Sequence, residues 1–257
     1  MRHKDIYNLV FDLEKDETYH YRKKYVNKTF YSLFDDREIL SNSIKKRLGS
    51  ELSKYYLEPI QYKYNNLGFR NHRDIHKQNT GCLAIGDSFT EGEGIKYNDL
   101  WTSLLETQIK QPINNFGICG SGPDTWFKIL IKYIASFDGE YIFLLSTYFP
   151  RYVFPGRDKF IKGVNRIFKN SSEIYSLTRS ENFILYNYQI KMLAVEALAN
   201  YYSKKLVVLN VHDIAEIDID GYNFNVVFNK YEPARDCKHL GRDFHKVVAN
   251  KFSLQAN

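Results

Sequence analysis

Short apolar segments alternate with amphipathic helical patterns from residue 81 to the end of the chain. Apolar runs predict strands over 82–85, 113–116, 141–145 and 205–211, and apolar residues at three- and four-residue steps predict helices over 99–110, 125–136, 185–202 and 241–252. The run 141–145 is apolar throughout, as in strands that a parallel sheet buries on both faces. The alternation predicts an α/β fold, a three-layer α/β/α sandwich with a central parallel sheet and helices on both of its faces.

The alternating pattern is missing before about residue 78. Residues 1–78 are predicted to form a helical or irregular N-terminal extension packed on the main domain, with one amphipathic helix over 41–57. Residues 79–257 are predicted to form the α/β domain. Within this domain, residues 148–183 are irregular and rich in aromatic side chains, which predicts an insertion at the mouth of a site. Residues 212–235 are predicted to be a long loop, of the kind that forms lids.

Composition excludes several classes of protein. Hydrophobic residues make up 44% of the 257 residues and charged residues 26%, a mixture typical of a soluble globular protein. No run approaches the roughly 18 to 20 apolar residues that span a bilayer. The net charge is +6, but acidic residues are interleaved with the basic ones, which favours solvated helix faces over a nucleic-acid surface. No signal-peptide pattern and no metal-type or disulfide-type cysteine spacing is seen, so we expect a cytoplasmic protein.

Three polar segments follow predicted strands or precede predicted helices. Gly86-Asp87-Ser88 lies between a strand and a helix, where backbone N–H groups can stabilise an oxyanion, although Gly-Asp-Ser alone is also an ordinary turn. A glycine-rich loop, residues 115–124, follows the second strand and allows close approach of the backbone to a reacting group. Asp236 stands three residues before His239, just before the last helix. A serine hydroxyl needs a base and an orienting acid to act as a nucleophile, and this pair supplies both groups.

In this order, the three segments resemble the SGNH (GDSL-like) hydrolase superfamily over about residues 64–255. The resemblance implies that Ser88 is the nucleophile, with its own N–H as one oxyanion donor and that of Gly120 as the second. It further implies that His239 is the general base and that Asp236 orients it. No metal and no organic cofactor are expected.

One block of the family pattern is altered here. Where the family has Gly-x-Asn-Asp after its third strand, with the Asn as an oxyanion donor, this chain reads Leu-Leu-Ser-Thr-Tyr-Phe-Pro-Arg over 144–151. Losing one such donor costs about 3 kcal/mol of transition-state stabilisation. The Thr147 hydroxyl is the predicted replacement and Arg151 the alternative. Asp87 and Arg151 are the predicted substrate-binding residues.

The resemblance implies hydrolysis of an ester through an acyl-enzyme, with a small acyl group such as acetyl on a carbohydrate. The expected partner is therefore a small-molecule or glycan ester. Three alternatives remain open: an acyltransferase that uses the same residues, a degenerate module that only binds carbohydrate, and a structural or assembly component.

Four further histidines are candidates for chemistry. His72 and His76 have a spacing that binds zinc on a helix, but no further ligands stand nearby, so no metal site is predicted. His212 follows a predicted strand and is expected to have a structural or lid role. His245 is predicted to be a packed or surface residue of the last helix.

Overall fold

The structure is a computed structural model of the chain, and it describes residues 23–31, 58–147, 181–215, 231–232, 234–236 and 239–256. The helix predicted over 41–57 lies outside the described residues. The same holds for residues 148–180 of the predicted insertion and for residues 216–230 of the predicted lid loop.

The described elements alternate along the chain as the sequence predicts from residue 81 onward. The strands are β1 Thr29–Tyr31, β2 Gln61–Lys63, β3 Cys82–Gly86, β4 Ile113–Asn115, β5 Tyr141–Ser146 and β6 Lys205–Asn210. The α-helices are α1 Ser88–Glu91, α2 Trp101–Ile109, α3 Pro123–Tyr133, α4 Glu181–Tyr201, α5 Val211–Ala215 and α6 Arg242–Ala256. Single 3₁₀ turns cover Tyr97–Asp99 and Ile134–Ser136.

Four strands form a parallel sheet in the order β4-β3-β5-β6. Leu83 of β3 pairs with Asn114 on one side and with Ile142 on the other, so β3 is a central strand. The chain leaves β3 toward β4 and then returns to the other side, so the strand order reverses at β3. In open α/β sheets, ligands bind beyond the carboxyl ends of the strands at such a point. Ser88 lies two residues beyond the end of β3.

Helices cover both faces of this sheet, so the predicted three-layer α/β/α fold is confirmed. Alternate residues of the central strands point to opposite faces, as the two-residue period of a strand requires. One apolar cluster contains Cys82, Ala84, Phe143 and Leu145 with Trp101 and Leu105 of α2 and Phe244 and Phe252 of α6. The other contains Leu83, Ile85, Ile142 and Leu144 with Trp126 and Ile129 of α3 and Val195 and Ala199 of α4.

Two short helices replace parts of predicted loops. Helix α1 spans four residues, too few for an apolar period, and it ends at Gly92, whose φ of +82° is the left-handed conformation that glycine adopts most readily. Helix α5 follows β6 directly, where the sequence predicts a loop from residue 212. None of the described helices is long and apolar enough to cross a membrane.

The described part of the predicted N-terminal extension packs against the sheet domain. β1 and β2 pair antiparallel, and Tyr25, Ile60, Tyr62 and Tyr64 form a small buried cluster. Arg73 forms a hydrogen-bonded ion pair with Glu106 of α2, with a distance of 2.9 Å from Nη1 to Oε2. Phe69 and Ile75 belong to the apolar cluster that contains residues of α3 and α4, so this segment contributes polar as well as apolar contacts to the main fold.

Candidate active site

Ser88 is the first residue of α1 and is 4% exposed. Asp87 caps the helix: its Oδ1 accepts a hydrogen bond from the N–H of Phe89 at 3.0 Å, and its carbonyl accepts those of Thr90 and Glu91. Asp is among the best N-cap residues because its carboxylate satisfies N–H groups that have no partner within the helix. The N–H of Ser88 has no acceptor among the described residues, so it remains available to a ligand.

The structure brings Ser88, His239 and Asp236 into one hydrogen-bonded line. Nε2 of His239 lies 2.8 Å from Oγ of Ser88, although the two residues are 151 positions apart in the chain. Nδ1 of His239 lies 2.5 Å from Oδ2 of Asp236, and Oδ1 of Asp236 accepts the backbone N–H of His239 at 3.2 Å. The edge of one aromatic ring, that of Phe89, packs against the imidazole at 5.1 Å between centroids. The ring is thus fixed on both nitrogens and along one side.

The surrounding carboxylates control the basicity of His239. Burial alone would lower the pKa of the imidazole, but the charges of Asp236, Glu93 and Asp87 and the hydrogen bond from Asp236 raise it above its ordinary value. A base acts best when its pKa lies near the working pH, because it must be neutral to accept a proton and basic enough to hold it. His239 has the surroundings of such a base.

The loop after β4 lies directly on α1. A Cβ atom on Gly117 would stand 2.1 Å from the backbone nitrogen of Glu91, so only glycine allows this approach. Ser121 donates from Oγ to the carbonyl of Gly86 at 3.0 Å, which joins the loop to the end of β3. Gly120, the predicted second oxyanion donor, immediately precedes Ser121 and has a φ of +75°. The structure therefore holds the Gly120 backbone in the loop that adjoins the Ser88 turn.

The structure brings the predicted site residues Thr147 and Asp87 into direct contact with each other. Thr147 is 1% exposed, and its Oγ1 donates to Oδ2 of Asp87 at 2.9 Å. The hydroxyl proton is therefore committed to a carboxylate and is not presented to an oxyanion. Asp87 is 0% exposed and caps α1, so its carboxylate supports the turn that carries Ser88; its contact with a substrate stays a prediction. The other predicted residue of this segment, Arg151, lies outside the described residues.

Three other candidate histidines, His72, His212 and His245, lie outside the hydrogen-bonded line of Ser88, His239 and Asp236. His245 of α6 is 1% exposed, and its Nδ1 accepts the N–H of Trp101, the first residue of α2. Burial, with the charges of Arg70 and His239, lowers the pKa of His245 to about 3. His72 stacks on Tyr97 at 3.5 Å between ring centroids. His212 is buried in α5, where burial lowers its pKa.

The site contains one group of possible metal ligands, namely Glu93, Asp236 and His239, whose ligand atoms lie within 4.8 Å of one another. Both ring nitrogens of His239 already have partners, Nδ1 with Asp236 and Nε2 with Ser88. A metal ion bound to the imidazole would have to displace one of these contacts. The arrangement therefore fits a proton-transfer chain better than a cation site.

Two further residues lie near the site, and neither is among the predicted site residues. Glu93 is 7% exposed, and its Oε2 lies 3.8 Å from Nδ1 of His239. Arg70 is 0% exposed, and its guanidinium donates to backbone carbonyls at the end of α1. Each role depends on a contact between segments distant in the chain, so no local pattern of residues reveals it.

No protein-family model matches the chain, and no curated protein matches it either. Among solved structures, the chain is similar to a member of the lipolytic protein G-D-S-L family from Veillonella parvula DSM 2008, at 13% identity and a TM-score of 0.32, over 69% of this chain and 97% of that one. It is also similar to the psychrotrophic esterase EstA from Pseudoalteromonas sp., at 12% identity and a TM-score of 0.38, over 70% of this chain and 98% of that one.

Proposed function

We propose that this protein is a serine hydrolase of the SGNH kind that cleaves a carboxylic ester through an acyl-enzyme on Ser88. The observation that carries the proposal is the 2.8 Å contact between Nε2 of His239 and Oγ of Ser88, in line with the contact between Nδ1 and Asp236. A serine hydroxyl is a weak nucleophile by itself, and a base within hydrogen-bond reach activates it.

The reaction proceeds in two halves. In the first, Oγ of Ser88 attacks the ester carbonyl while Nε2 of His239 takes the hydroxyl proton, and Asp236 stabilises the imidazolium that forms. The tetrahedral intermediate then collapses, His239 gives the proton to the leaving alcohol, and an acyl group remains on Ser88. In the second half, His239 takes a proton from water while the water oxygen attacks the acyl carbon. The second tetrahedral intermediate then breaks its bond to Oγ, His239 returns the proton to Ser88, and the carboxylic acid leaves.

Backbone N–H groups are the proposed oxyanion donors. Ser88 is the first residue of α1, and its N–H has no acceptor among the described residues. The N–H of Gly120 lies in the adjoining loop. Donors of this kind act by standing about 3 Å from the position where the negative charge develops. The site as proposed works with two backbone donors and without the Thr147 hydroxyl.

Covalent labelling tests the nucleophile. A fluorophosphonate probe reacts with activated serines, so we expect the wild-type protein to be labelled at Ser88, as read by mass spectrometry of the modified peptide. Ser88→Ala should abolish the labelling and leave the unfolding transition nearly unchanged. Ser103→Ala is a matched control, because Ser103 lies on α2 away from His239, and it should be labelled like the wild type. Absence of labelling in folded wild-type protein would favour a module that only binds its ligand.

A further inference from the structure

The side chain of Glu93 lies on the same side of the His239 ring as Asp236. Its Oε2 is 3.8 Å from Nδ1, while Oδ2 of Asp236 is 2.5 Å from the same nitrogen. The Oε1 atom of Glu93 is buried and has no hydrogen-bond partner in the part of the chain that the structure describes. Buried carboxylates are normally satisfied by donors, so a carboxyl group held in this way requires an explanation.

The backbone that carries Glu93 is fixed by a buried cation. The guanidinium of Arg70 donates to the carbonyls of Glu91 at 3.2 Å and of Ile95 at 2.7 Å, and also to that of Gly92. These carbonyls belong to the end of α1 and to the loop that follows it, where a helix leaves acceptors without partners. The loop is therefore held on both sides of Glu93 by one side chain.

The same loop is joined to the segment that carries Asp236. The carbonyl of Gly94 accepts the N–H of Arg235 at 3.0 Å, and the N–H of Gly94 donates to Oη of Tyr62 at 2.9 Å. A Cβ atom on Gly94 would stand 2.9 Å from the backbone nitrogens of both Arg235 and Asp236. Glu93 and Asp236 are consequently held at a fixed separation, one on each of two loops in direct contact.

The charges around Glu93 connect it to His239. Burial raises the pKa of the Glu93 carboxyl, and the negative charges of Glu91 and Asp236 raise it further. The positive charge of His239 and a hydrogen bond with Cys119 act in the opposite direction and lower this pKa. Of the neighbouring acids, Glu91 already accepts hydrogen bonds from the Tyr64 hydroxyl and the Cys119 N–H. Of these neighbours, only His239 becomes positively charged when it takes a proton, so it is the neighbour that the negative charge of Glu93 can stabilise.

We propose that Glu93 is a positioning residue for the His239–Asp236 pair: its carboxylate stabilises the protonated imidazole and holds the ring when Asp236 cannot. The inference rests on the proposed function, in which His239 becomes protonated each time Ser88 attacks. Two carboxylates then face the Nδ1 edge of the ring, one in direct contact and one at 3.8 Å. An opposite charge within about 4 to 6 Å favours the charged form of a titrating group.

The test is a titration of His239 by NMR in ¹⁵N-histidine-labelled protein, in wild type and in Glu93→Gln. Glutamine keeps the size of the side chain and removes the charge. We expect the pKa of His239 to fall by about one unit in Glu93→Gln, the lower end of the range for a neighbouring charge. Glu196→Gln is the matched control, because Glu196 is exposed on α4, and it should leave the pKa of His239 unchanged. An equal pKa in wild type and Glu93→Gln overturns the inference.

Two further variants distinguish charge from packing. Glu93→Asp keeps the charge but withdraws it by one methylene, so the pKa of His239 should lie between those of wild type and Glu93→Gln. Equal shifts in Glu93→Asp and Glu93→Gln would assign the effect to packing and overturn the inference. In the Asp236→Ala background, Glu93→Gln should lower the pKa of His239 again by about one unit. No further change there would show that Glu93 does not act when Asp236 is missing.

The acid limb of the pH profile gives a second readout. In Glu93→Gln, the rise of kcat/KM for a neutral ester should move to lower pH by the same shift as the His239 titration, with KM nearly unchanged. Failure of this inference can be told from failure of the proposed function. If the probe labels Ser88 but the pKa of His239 is the same in wild type and Glu93→Gln, only the role of Glu93 is refuted. If the pKa of His239 shifts but the probe does not label Ser88, only the proposed hydrolase activity is refuted.

Discussion

Substituting Thr147→Val tests whether this hydroxyl supports Asp87. Valine has nearly the same shape as threonine, so the substitution removes a donor without opening a cavity. Thr147 is 1% exposed and donates to Oδ2 of Asp87 at 2.9 Å, and Asp87 is 0% exposed. A hydrogen bond to a charged group contributes about 1.5 to 3 kcal/mol to stability. The loss of stability is larger when the acceptor stays buried without its donor. We expect the free energy of unfolding to fall by about 2 kcal/mol.

Thr102→Val is the matched control. Thr102 is also 1% exposed, but its Oγ1 is buried without a hydrogen-bond partner, so replacing it with a methyl group should leave stability unchanged or increase it. Urea denaturation of both variants, analysed by linear extrapolation, gives the comparison. If the free energies of unfolding of Thr147→Val and Thr102→Val fall by amounts that agree within about 0.5 kcal/mol, the usual scale of a neutral substitution, the Thr147 hydroxyl does not support Asp87. A fall in kcat of tenfold or more in Thr147→Val, with little loss of stability, would instead restore the oxyanion role.

Three other predictions follow from the site. Asp236→Asn should lower kcat by several orders of magnitude while leaving a residual rate, measured with a short-chain ester, because the imidazole loses its orienting acid. The wild-type kcat/KM should rise with pH through the pKa of His239, which lies above its ordinary value of 6.5, so an acid limb centred well below pH 6.5 would contradict the raised pKa. Below pH 6.5 the unfolded chain takes up a proton at His245 that the folded protein refuses down to about pH 3. As the pH falls below 6.5, this group should therefore lower the free energy of unfolding by about 1.4 kcal/mol per pH unit. His245→Gln should flatten the dependence of that free energy on pH between 6.5 and 5, as measured by urea denaturation.

The sequence predicts the sheet domain well because most of its strands are short apolar runs. β3, β4 and β5 are buried along nearly their whole length, whereas β6 is mostly half-buried. Residues 82–85, 141–145 and 205–211 all become strands within one residue of the predicted ends, since continuous apolar runs bounded by polar residues permit few other structures. Helix α1 is missed because four residues are too short to show an apolar period. Helix α5 is missed because nothing separates it from β6 in the pattern of residues.

The site is predicted only as far as local motifs extend. Ser88 and the Asp236–His239 pair each follow a strand or precede a helix, and the structure places them together at the end of the sheet. The Thr147 hydroxyl donates to a carboxylate 60 residues away, a contact that no local motif predicts, and its oxyanion role stays a prediction. Glu93 was missed because its position depends on the contact between two loops that are distant in the chain.

The segment before the sheet domain belongs to the scaffold of the site. Arg70 is fully buried, its guanidinium lies 4.1 Å from the ring centroid of Tyr62, and its hydrogen bonds go to carbonyls at the end of α1. Burying a guanidinium is costly unless acceptors and an aromatic face replace water, and this segment together with the α1 loop provides both. The loop that carries Glu93 thus depends on residues that the sequence assigns to an extension. Removing this segment would release the backbone next to Ser88, so the described residues of the predicted extension and the turn that carries Ser88 depend on each other.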